Sequence, residues 1–244
     1  YRGYDSAGVA VNTGNELEIR KFKGRLAILA EDLEKSPILG GLGIGHTRWA
    51  THGVPTDVNS HPHCSCDKKV AVVHNGIIEN YATLKDELIE KGYVFSSDTD
   101  SEVAAQLFSY LYTGDLLETI MKVRDKIRGS YALGIIHEEQ PDKIICTRKE
   151  SPLIIGLGKD KNFIASDVPA ILKYTRDVIF LENDEIAIIE EGKVTVFNEE
   201  GKPIVKEISK IEWDMEQASK NGYPHFMLKE IEEQPAVVER TLEV

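Results

Sequence analysis

The sequence predicts an α+β sandwich, in which sheets pack together and helices cover them from outside. The first half mixes strands with helices, and three successive helical stretches lie between residues 77 and 127. The second half consists mainly of short apolar segments separated by Gly, Asn and Asp, the pattern of strands joined by turns. Helices grouped inside strand-rich flanks are typical of this fold class.

In the first half, SAGVAV and ELEIRKF are predicted strands around the turn TGN, and Leu26 to Leu33 is a predicted helix. GLGIGHTR and KVAVVHNG are short, apolar and glycine-bounded, as buried strands are. Apolar residues from Ile77 to Leu88 recur at helical spacing, and Gly92 follows the helix end. Thr99 and Glu102 form the T-x-x-E pattern of a capping box, which predicts a helix start near Thr99.

The third helix of the group is predicted over Leu116 to Ile127. Strands are then predicted at SYALGIIH, KIICTR, PLIIGLG, NFIASD, VIFLE and EIAIIE, with a hairpin around Glu200-Gly201 in KVTVFNEEGKPI. The closing stretch, PHFMLKEIEEQPAVVERTLEV, has a helical pattern although it contains Pro235. A tether to a following segment and a simple C-terminal helix both fit this stretch.

Composition narrows the functional classes. Hydrophobic residues make up 41% of the 244 residues and charged residues 29%, which indicates a packed globule. The net charge of -12 argues against nucleic acid or an anionic membrane as the main partner. Three cysteines, too few for a disulfide framework, favour a reducing compartment, so we expect a cytoplasmic protein. No apolar run approaches the roughly 20 residues of a membrane helix.

Two loops at strand ends carry polar groups suited to binding an amino acid. In HTRWATHG, positions 46 to 53, Arg48 suits a carboxylate and Trp49 suits the cap of a pocket; a plain salt bridge and a core tryptophan are the alternatives. In VVHNGIIEN, Asn75-Gly76 suits a hairpin turn, but the helical period after it favours a strand, a tight turn and a helix. That arrangement would place a side-chain amide beside backbone N–H groups, which is the composition of an oxyanion hole.

The acidic stretch SSDTDSE, positions 96 to 102, does not match the calcium-loop pattern, because no glycine follows at the required position. The simple interpretation is that these acidic residues lie in the first turn of a helix, where they interact favourably with the helix dipole. A functional interpretation uses Asp100 to hold an ammonium group. Together with Arg48 and the Asn75-Gly76 pair, Asp100 would complete a pocket for an amino acid.

The stretch HPHCSC, positions 61 to 66, combines two histidines with two cysteines. Cys64 and Cys66 are separated by one residue, whereas structural zinc sites usually space cysteines by two to four. We therefore predict no metal site and no cofactor, and a surface-side loop that leads into KVAVVHNG. Cys146 lies in a predicted strand and is expected to pack as a small hydrophobe.

The motifs YRGYDSAG, HTRWATHG, HPH, VVHNGIIEN, DTDSE, SPLIIGLG with FIASD, and KEIEEQP occur here in that order. Over essentially the whole chain they resemble the N-terminal-nucleophile (class II) glutamine amidotransferases. Within that class they resemble the glutaminase domains of the glutamine–fructose-6-phosphate aminotransferase (glucosamine-6-phosphate synthase) family. The resemblance implies a four-layer αββα sandwich of the N-terminal-nucleophile hydrolase type. It also implies hydrolysis of the glutamine side-chain amide, with ammonia used for amino-sugar synthesis.

The resemblance also implies residue roles. Arg48 would bind the α-carboxylate of glutamine and Asp100 its α-amino group, with Asn75 and Gly76 forming the oxyanion hole. Trp49 would gate the transfer of ammonia. Two further residues would line the glutamine pocket, Thr51 and His52. His61 and His63 would belong to an HPH turn beside that pocket, whereas Cys64 and Cys66 are not part of the motif.

The nucleophile implied by the resemblance is a cysteine at the mature N-terminus, whereas this sequence begins at Tyr1. We therefore expect the first segment of the fold to be missing and the chain as written to be inactive. The expected division is a glutaminase domain over 1–228 and, over 229–244, the start of a linker to a missing isomerase half. The full-length enzyme is expected to be a homo-oligomer. A metal-binding module and a catalytically silent glutamine-binding module are the alternatives.

Overall fold

The computed structural model describes residues 5–49, 53–212 and 223–242. The helices are α1 (Leu26–Lys35), α2 (Tyr81–Glu90), α3 (Ser101–Leu111), α4 (Leu116–Lys126), α5 (Phe226–Leu242) and a 3₁₀ helix at Val168–Ala170. The strands are β1 (Ser6–Asn12), β2 (Leu17–Lys23), β3 (Leu42–Arg48), β4 (His63–Cys64), β5 (Val70–Ile78), β6 (Gly129–His137), β7 (Ile144–Lys149), β8 (Ile154–Leu157), β9 (Asn162–Ala165), β10 (Asp177–Phe180), β11 (Ile186–Glu190), β12 (Lys193–Phe197), β13 (Pro203–Ile204) and β14 (Ser209–Lys210).

The strands form three antiparallel sheets. The largest has seven strands in the order β13-β12-β11-β7-β6-β5-β4. A three-stranded sheet has the order β2-β1-β3, and a four-stranded sheet has the order β14-β10-β8-β9. Short turns join several of these neighbours, and the predicted hairpin around Gly201 joins β12 to β13.

Two apolar cores divide the sandwich into layers. On one face of the seven-stranded sheet, Val72 and Ile78 pack with Leu84 of α2 and Phe108 of α3. On its other face, Ala71 belongs to a core that joins this sheet to the two smaller sheets. This alternation along β5 is what a strand buried on both faces requires, since successive side chains point to opposite sides.

The smaller sheets are covered from outside. Helix α1 lies against β1 and β2 and buries Leu29. The 3₁₀ helix covers the four-stranded sheet with Val168, which packs in a third core with Ile154 and Val178. The order helix, sheet, sheet, helix is the predicted four-layer αββα sandwich.

The structure corrects two local predictions. Asn75 and Gly76 do not form a turn at a helix start, because β5 continues through them to Ile78 and α2 begins only at Tyr81. Strand pairing explains the difference: β6 pairs with β5 along its whole length, and this pairing keeps Asn75 and Gly76 extended.

The predicted capping box is also absent. Helix α3 begins at Ser101, and the Glu102 carboxylate accepts hydrogen bonds from the N–H groups of Ser96 and Ser97 instead of Thr99. The T-x-x-E pattern identified the region of the helix start correctly, but the acid stabilises the preceding loop. The predicted boundary at 228/229 falls inside α5, so the division into two segments stays a prediction. Among the described residues, every helix is too short or too polar to span a bilayer.

Candidate active site

Four of the predicted site residues, Arg48, Asn75, Gly76 and Asp100, lie on or beside β3 and β5, which contact each other across the two sheets. His46 of β3 and Asn75 of β5 join the sheets directly, since His46 Nε2 lies 2.8 Å from Asn75 Oδ1. The carbonyl oxygen of an amide can only accept, so the imidazole nitrogen donates in this bond. The other end of the Asn75 amide, Nδ2, is a donor.

Gly76 has a backbone conformation that other residues rarely adopt. Its φ is 125°, and it lies opposite Tyr131 of β6. A Cβ atom on Gly76 would lie 2.7 Å from the carbonyl carbon of Ser130 and 2.9 Å from the Cα of Tyr131. Both the dihedral angle and the close approach of β6 therefore require glycine here.

Asp100 is hydrogen-bonded to β5, the strand that carries Asn75 and Gly76. It is buried, and its Oδ2 accepts a hydrogen bond from the backbone N–H of Ile78 at 2.8 Å. Within the described residues, its Oδ1 has only a long contact of 3.5 Å from the Ser101 hydroxyl. Oδ2 thus holds Asp100 against β5 at Ile78, two residues after Gly76, and Oδ1 can still accept a hydrogen bond from a cation.

Arg48 is the last residue of β3 and is buried. Its Nη2 donates to the carbonyl oxygen of Gly53 at 3.1 Å. Burial lowers the pKa of the Arg48 guanidinium, and the carboxylates of Asp5 and Asp100 oppose that shift. A buried guanidinium that is electrostatically coupled to Asp100 has the charge pattern expected for a zwitterionic ligand.

The remaining predicted residues occupy the loop after Arg48. Trp49 is 79% exposed, so the alternative of a core tryptophan is wrong. Thr51 and His52 lie outside the described residues. The described part of the loop is held in place by Asn59, which bonds to Val54 and to Asp98.

A group of four histidines, none of them among the predicted catalytic or binding residues, lies close to Asn75; His61, His63 and His74 are buried and His46 is half-buried. The His46 ring stacks on His61, with centroids 4.3 Å apart, and His61 contacts His63 edge-on at 4.7 Å. His61 Nδ1 accepts the backbone N–H of His74 at 3.3 Å, and His63 Nε2 lies 3.0 Å from the Thr99 hydroxyl. The four histidines are called the histidine cluster below.

Burial keeps His61, His63 and His74 neutral. It lowers the pKa values of His61 and His63 well below the usual 6.5, and neighbouring histidines and cations add to the shift. Burial also lowers the pKa of His74 to about 4, against the opposing effect of Asp100. Neutral imidazoles can both donate and accept hydrogen bonds, so at neutral pH these three histidines can orient their neighbours without adding positive charge.

The prediction of a surface-side loop for HPHCSC was wrong for its histidines. Both histidines are buried, because His61 stacks on His46 and His63 contacts the Thr99 hydroxyl; of the six residues in this stretch only Cys66 is exposed. Cys64 pairs with Ala71, four residues along β5 from Asn75, which is a separation of about 13 Å. Burial raises the pKa of the Cys64 thiol to about 11.

Cys146 also lies away from the site. It is fully buried between the sheets, as predicted for a small hydrophobe, and burial raises its pKa to about 12. Neither the Cys64 thiol nor the Cys146 thiol is therefore activated as a nucleophile. Among the described residues, no group of three or more His, Cys, Asp or Glu side chains is arranged to hold a metal ion.

A separate cleft of about 380 Å³ lies at the far end of the seven-stranded sheet, between α4 and β11–β12. Its two lysines, Lys143 and Lys193, approach Glu190 at 3.7 and 3.8 Å. These charges compensate each other, and the cleft contains none of the predicted site residues. We assign it no role in the chemistry.

The chain is similar to known glutamine-using enzymes. It is 57% identical over all 244 residues to a glutamine–fructose-6-phosphate aminotransferase (isomerizing) of Fusobacterium nucleatum, and 56% identical over 242 residues to one of Caldanaerobacter subterraneus. It spans 40% of the length of each of these relatives.

The solved structure of the glutamine phosphoribosylpyrophosphate amidotransferase of B. subtilis matches with a TM-score of 0.69 and 27% identity. That match covers 81% of this chain and 43% of the other. It supports the N-terminal-nucleophile hydrolase type of sandwich. Residues 46–173 match the model of the glutamine amidotransferase domain, and this range contains every predicted site residue. This chain belongs to the family of glutamine amidotransferase domains.

Proposed function

We propose that this chain binds glutamine and stabilises the transition state for hydrolysis of its side-chain amide. In the longer protein, the released ammonia would serve the synthesis of glucosamine 6-phosphate from fructose 6-phosphate. The observation that carries the proposal is the arrangement on β5. The Asn75 amide, the N–H of Gly76 and the anchored carboxylate of Asp100 all lie on or against one short stretch of strand.

The two charged α-groups of glutamine would bind to opposite sheets. Arg48, at the end of β3, would hold the α-carboxylate, and Asp100, on the side of β5, would hold the α-ammonium. The side-chain amide would then lie against Asn75 and Gly76. Thr51 and His52 would line the same pocket. Burial of an unpaired guanidinium or carboxylate costs free energy, and the opposite charges of a zwitterionic amino acid would offset that cost. The two buried charges therefore favour free glutamine over a neutral amide.

In the reaction, a thiolate would attack the amide carbon and push the carbonyl electrons onto oxygen. Nδ2 of Asn75 and the N–H of Gly76 would donate hydrogen bonds to that oxyanion. The carbon–nitrogen bond would then break, and the nitrogen would leave as ammonia after gaining a proton. Water would hydrolyse the thioester to give glutamate and regenerate the thiol. None of the chain's three cysteines lies at this site, so the proposal takes the thiolate from an N-terminal cysteine of the longer protein.

The remaining partners belong to the longer protein as well. Its relatives are named for fructose 6-phosphate chemistry, so a sugar-phosphate isomerase half is proposed as the acceptor of the ammonia. The exposed ring of Trp49 would gate that transfer. A homo-oligomeric full-length enzyme in the cytoplasm is part of the same proposal.

The experiment compares two activities of the full-length protein. One is glutamine hydrolysis, measured as glutamate, and the other is glucosamine 6-phosphate synthesis with ammonium salt in place of glutamine. For Asn75→Ala we expect kcat for glutamine to fall about 10²–10³-fold, the usual result of losing one oxyanion donor. The ammonia-dependent synthesis should persist, and equal loss of both activities would refute the assignment.

A second preparation tests the source of the thiolate. The polypeptide shown by intact mass to begin at Tyr1 should bind glutamine without releasing glutamate. Measurable hydrolysis by that preparation would show that a residue within positions 1–244 acts as nucleophile, contrary to the proposal.

A further inference from the structure

The Asn75 amide has two ends, and only one of them can serve an oxyanion. Nδ2 donates hydrogen bonds, whereas Oδ1 only accepts and would repel a developing negative charge. A rotation of the side chain by half a turn would exchange the two ends and turn a stabilising group into a destabilising one. An oxyanion site built on a side-chain amide therefore needs a group that fixes the amide's orientation.

His46 has the position and chemistry for that task. Its Nε2 lies 2.8 Å from Asn75 Oδ1, and this is the one side-chain hydrogen bond of Asn75 among the described residues. Because Oδ1 requires a donor, Nε2 carries the proton, and Nδ2 is left to face away from His46. The two residues belong to different sheets, so the rigid scaffold of the sandwich sets their separation.

The ring of His46 is itself held in place. It stacks on His61 with an interplanar angle of 22°, and His61 Nδ1 accepts the N–H of His74. That bond fixes the His61 ring, because only an unprotonated Nδ1 can accept it. His74 immediately precedes Asn75 in β5, so the strand that carries the Asn75 amide also holds the His61 ring on which His46 stacks.

We propose that His46 is a positioning residue of the oxyanion site: its Nε2–H holds Asn75 Oδ1 and thereby turns Nδ2 towards the substrate. The proposal rests on the proposed function, since it concerns the reaction assigned to Asn75. The alternative is a purely structural role, in which the bond between His46 and Asn75 would only join the two sheets. A structural bond would affect stability, whereas a positioning bond affects kcat through Asn75.

Three variants of the full-length protein separate these roles. His46→Gln places an amide N–H near the position of Nε2 and keeps the donor. His46→Asn is equally polar but too short to reach, and His46→Leu removes the donor while keeping much of the volume. For His46→Asn and His46→Leu we expect kcat for glutamine to fall about 10–100-fold. This is less than the fall expected when Asn75→Ala removes the oxyanion donor itself. KM should change less, because Arg48 and Asp100 are untouched, and His46→Gln should restore most of kcat.

The decisive measurement combines His46→Leu with Asn75→Ala. If His46 acts through the amide, the double variant should have the same kcat as Asn75→Ala alone. A further multiplicative fall would overturn the proposal, as would an unchanged kcat in both His46→Asn and His46→Leu. Ammonia-dependent synthesis and the melting temperature show that each variant is folded. If Asn75→Ala itself leaves kcat unchanged, the proposed function fails; if only the coupling is absent, the positioning role fails.

Discussion

The conformation of Gly76 makes a quantitative prediction for Gly76→Ala. The added Cβ would lie 2.7 Å from the carbonyl carbon of Ser130, about 0.8 Å closer than the optimal separation of two carbon atoms. Relieving this overlap requires β5 and β6 to move apart, at a cost of about 1–3 kcal/mol for overpacking. The φ of 125° adds strain of about 1–3 kcal/mol for a residue with a Cβ.

Gly92→Ala provides a matched control. Gly92 also has a positive φ, 90°, but a Cβ there would meet nothing within 4 Å. This variant therefore carries the backbone cost, about 1–2 kcal/mol, without the overlap. We expect Gly76→Ala to lower the free energy of unfolding by at least about 1 kcal/mol more than Gly92→Ala does.

Chemical denaturation of both variants measures that difference, and glutamine kinetics measure its functional consequence. A displacement approaching 1 Å at the Gly76 N–H should reduce kcat about 10²-fold. Gly92→Ala should keep kcat within a factor of about two, since the residue follows α2 on the surface. Equal loss of stability in the two variants would refute the packing argument, because the overlap at Gly76 would then have no energetic consequence.

Three further predictions concern Asp100, His74 and Cys64. Asp100→Ala should abolish most glutamine use but spare ammonia-dependent synthesis, whereas Asp98→Ala, a control on the same loop, should spare both; equal loss of both activities in Asp100→Ala would remove Asp100 from the glutamine site. Lowering the pH from 7 to 5 should destabilise the fold by about 2 kcal/mol for His74 alone, because its pKa of about 4 lies below the unfolded value near 6.5 and the unfolded chain binds the extra proton. Stability measured by denaturant titration should therefore fall over this window, and a flat profile would contradict neutral burial of the cluster. Cys64→Ala should leave kcat and metal content unchanged, and a lost metal ion detected by mass spectrometry would revive the metal-binding module.

Periodicity and strand signals predicted most of the fold. The segments around TGN, the helices near residues 26 and 116, and the strands of the second half lie where the sequence placed them, whereas the helix predicted from Ile77 begins at Tyr81. The predictions failed where a distant partner decides the local structure. Asn75-Gly76 has a strong turn signal, but pairing with β6, more than 50 residues later, keeps it extended.

The site showed the same division. Arg48, Asn75 and Asp100 were predicted to bind glutamine from their chemistry and from the resemblance to a family, and these roles stay predictions. Their supporting contacts were not, because no local pattern relates His46 to Asn75 or Asp100 to the N–H of Ile78. A histidine two residues before Arg48 on a predicted strand was a usable signal, since both side chains lie on the same face.

Under the proposed function, the placement of these groups would let the sandwich select glutamine by length. Recognition of the α-carboxylate would come from β3, in one sheet, while the oxyanion donors and the Asp100 anchor belong to β5, in the other. The spacing of two packed sheets is set by their shared core, which includes Ile44 and Ala71, and not by the ligand. An amino acid with a side chain one methylene shorter would therefore leave its amide carbon short of Asn75 and Gly76 while its α-groups remained bound. On this reasoning asparagine should bind the longer protein but react slowly, and a change that alters sheet spacing should affect kcat more than KM.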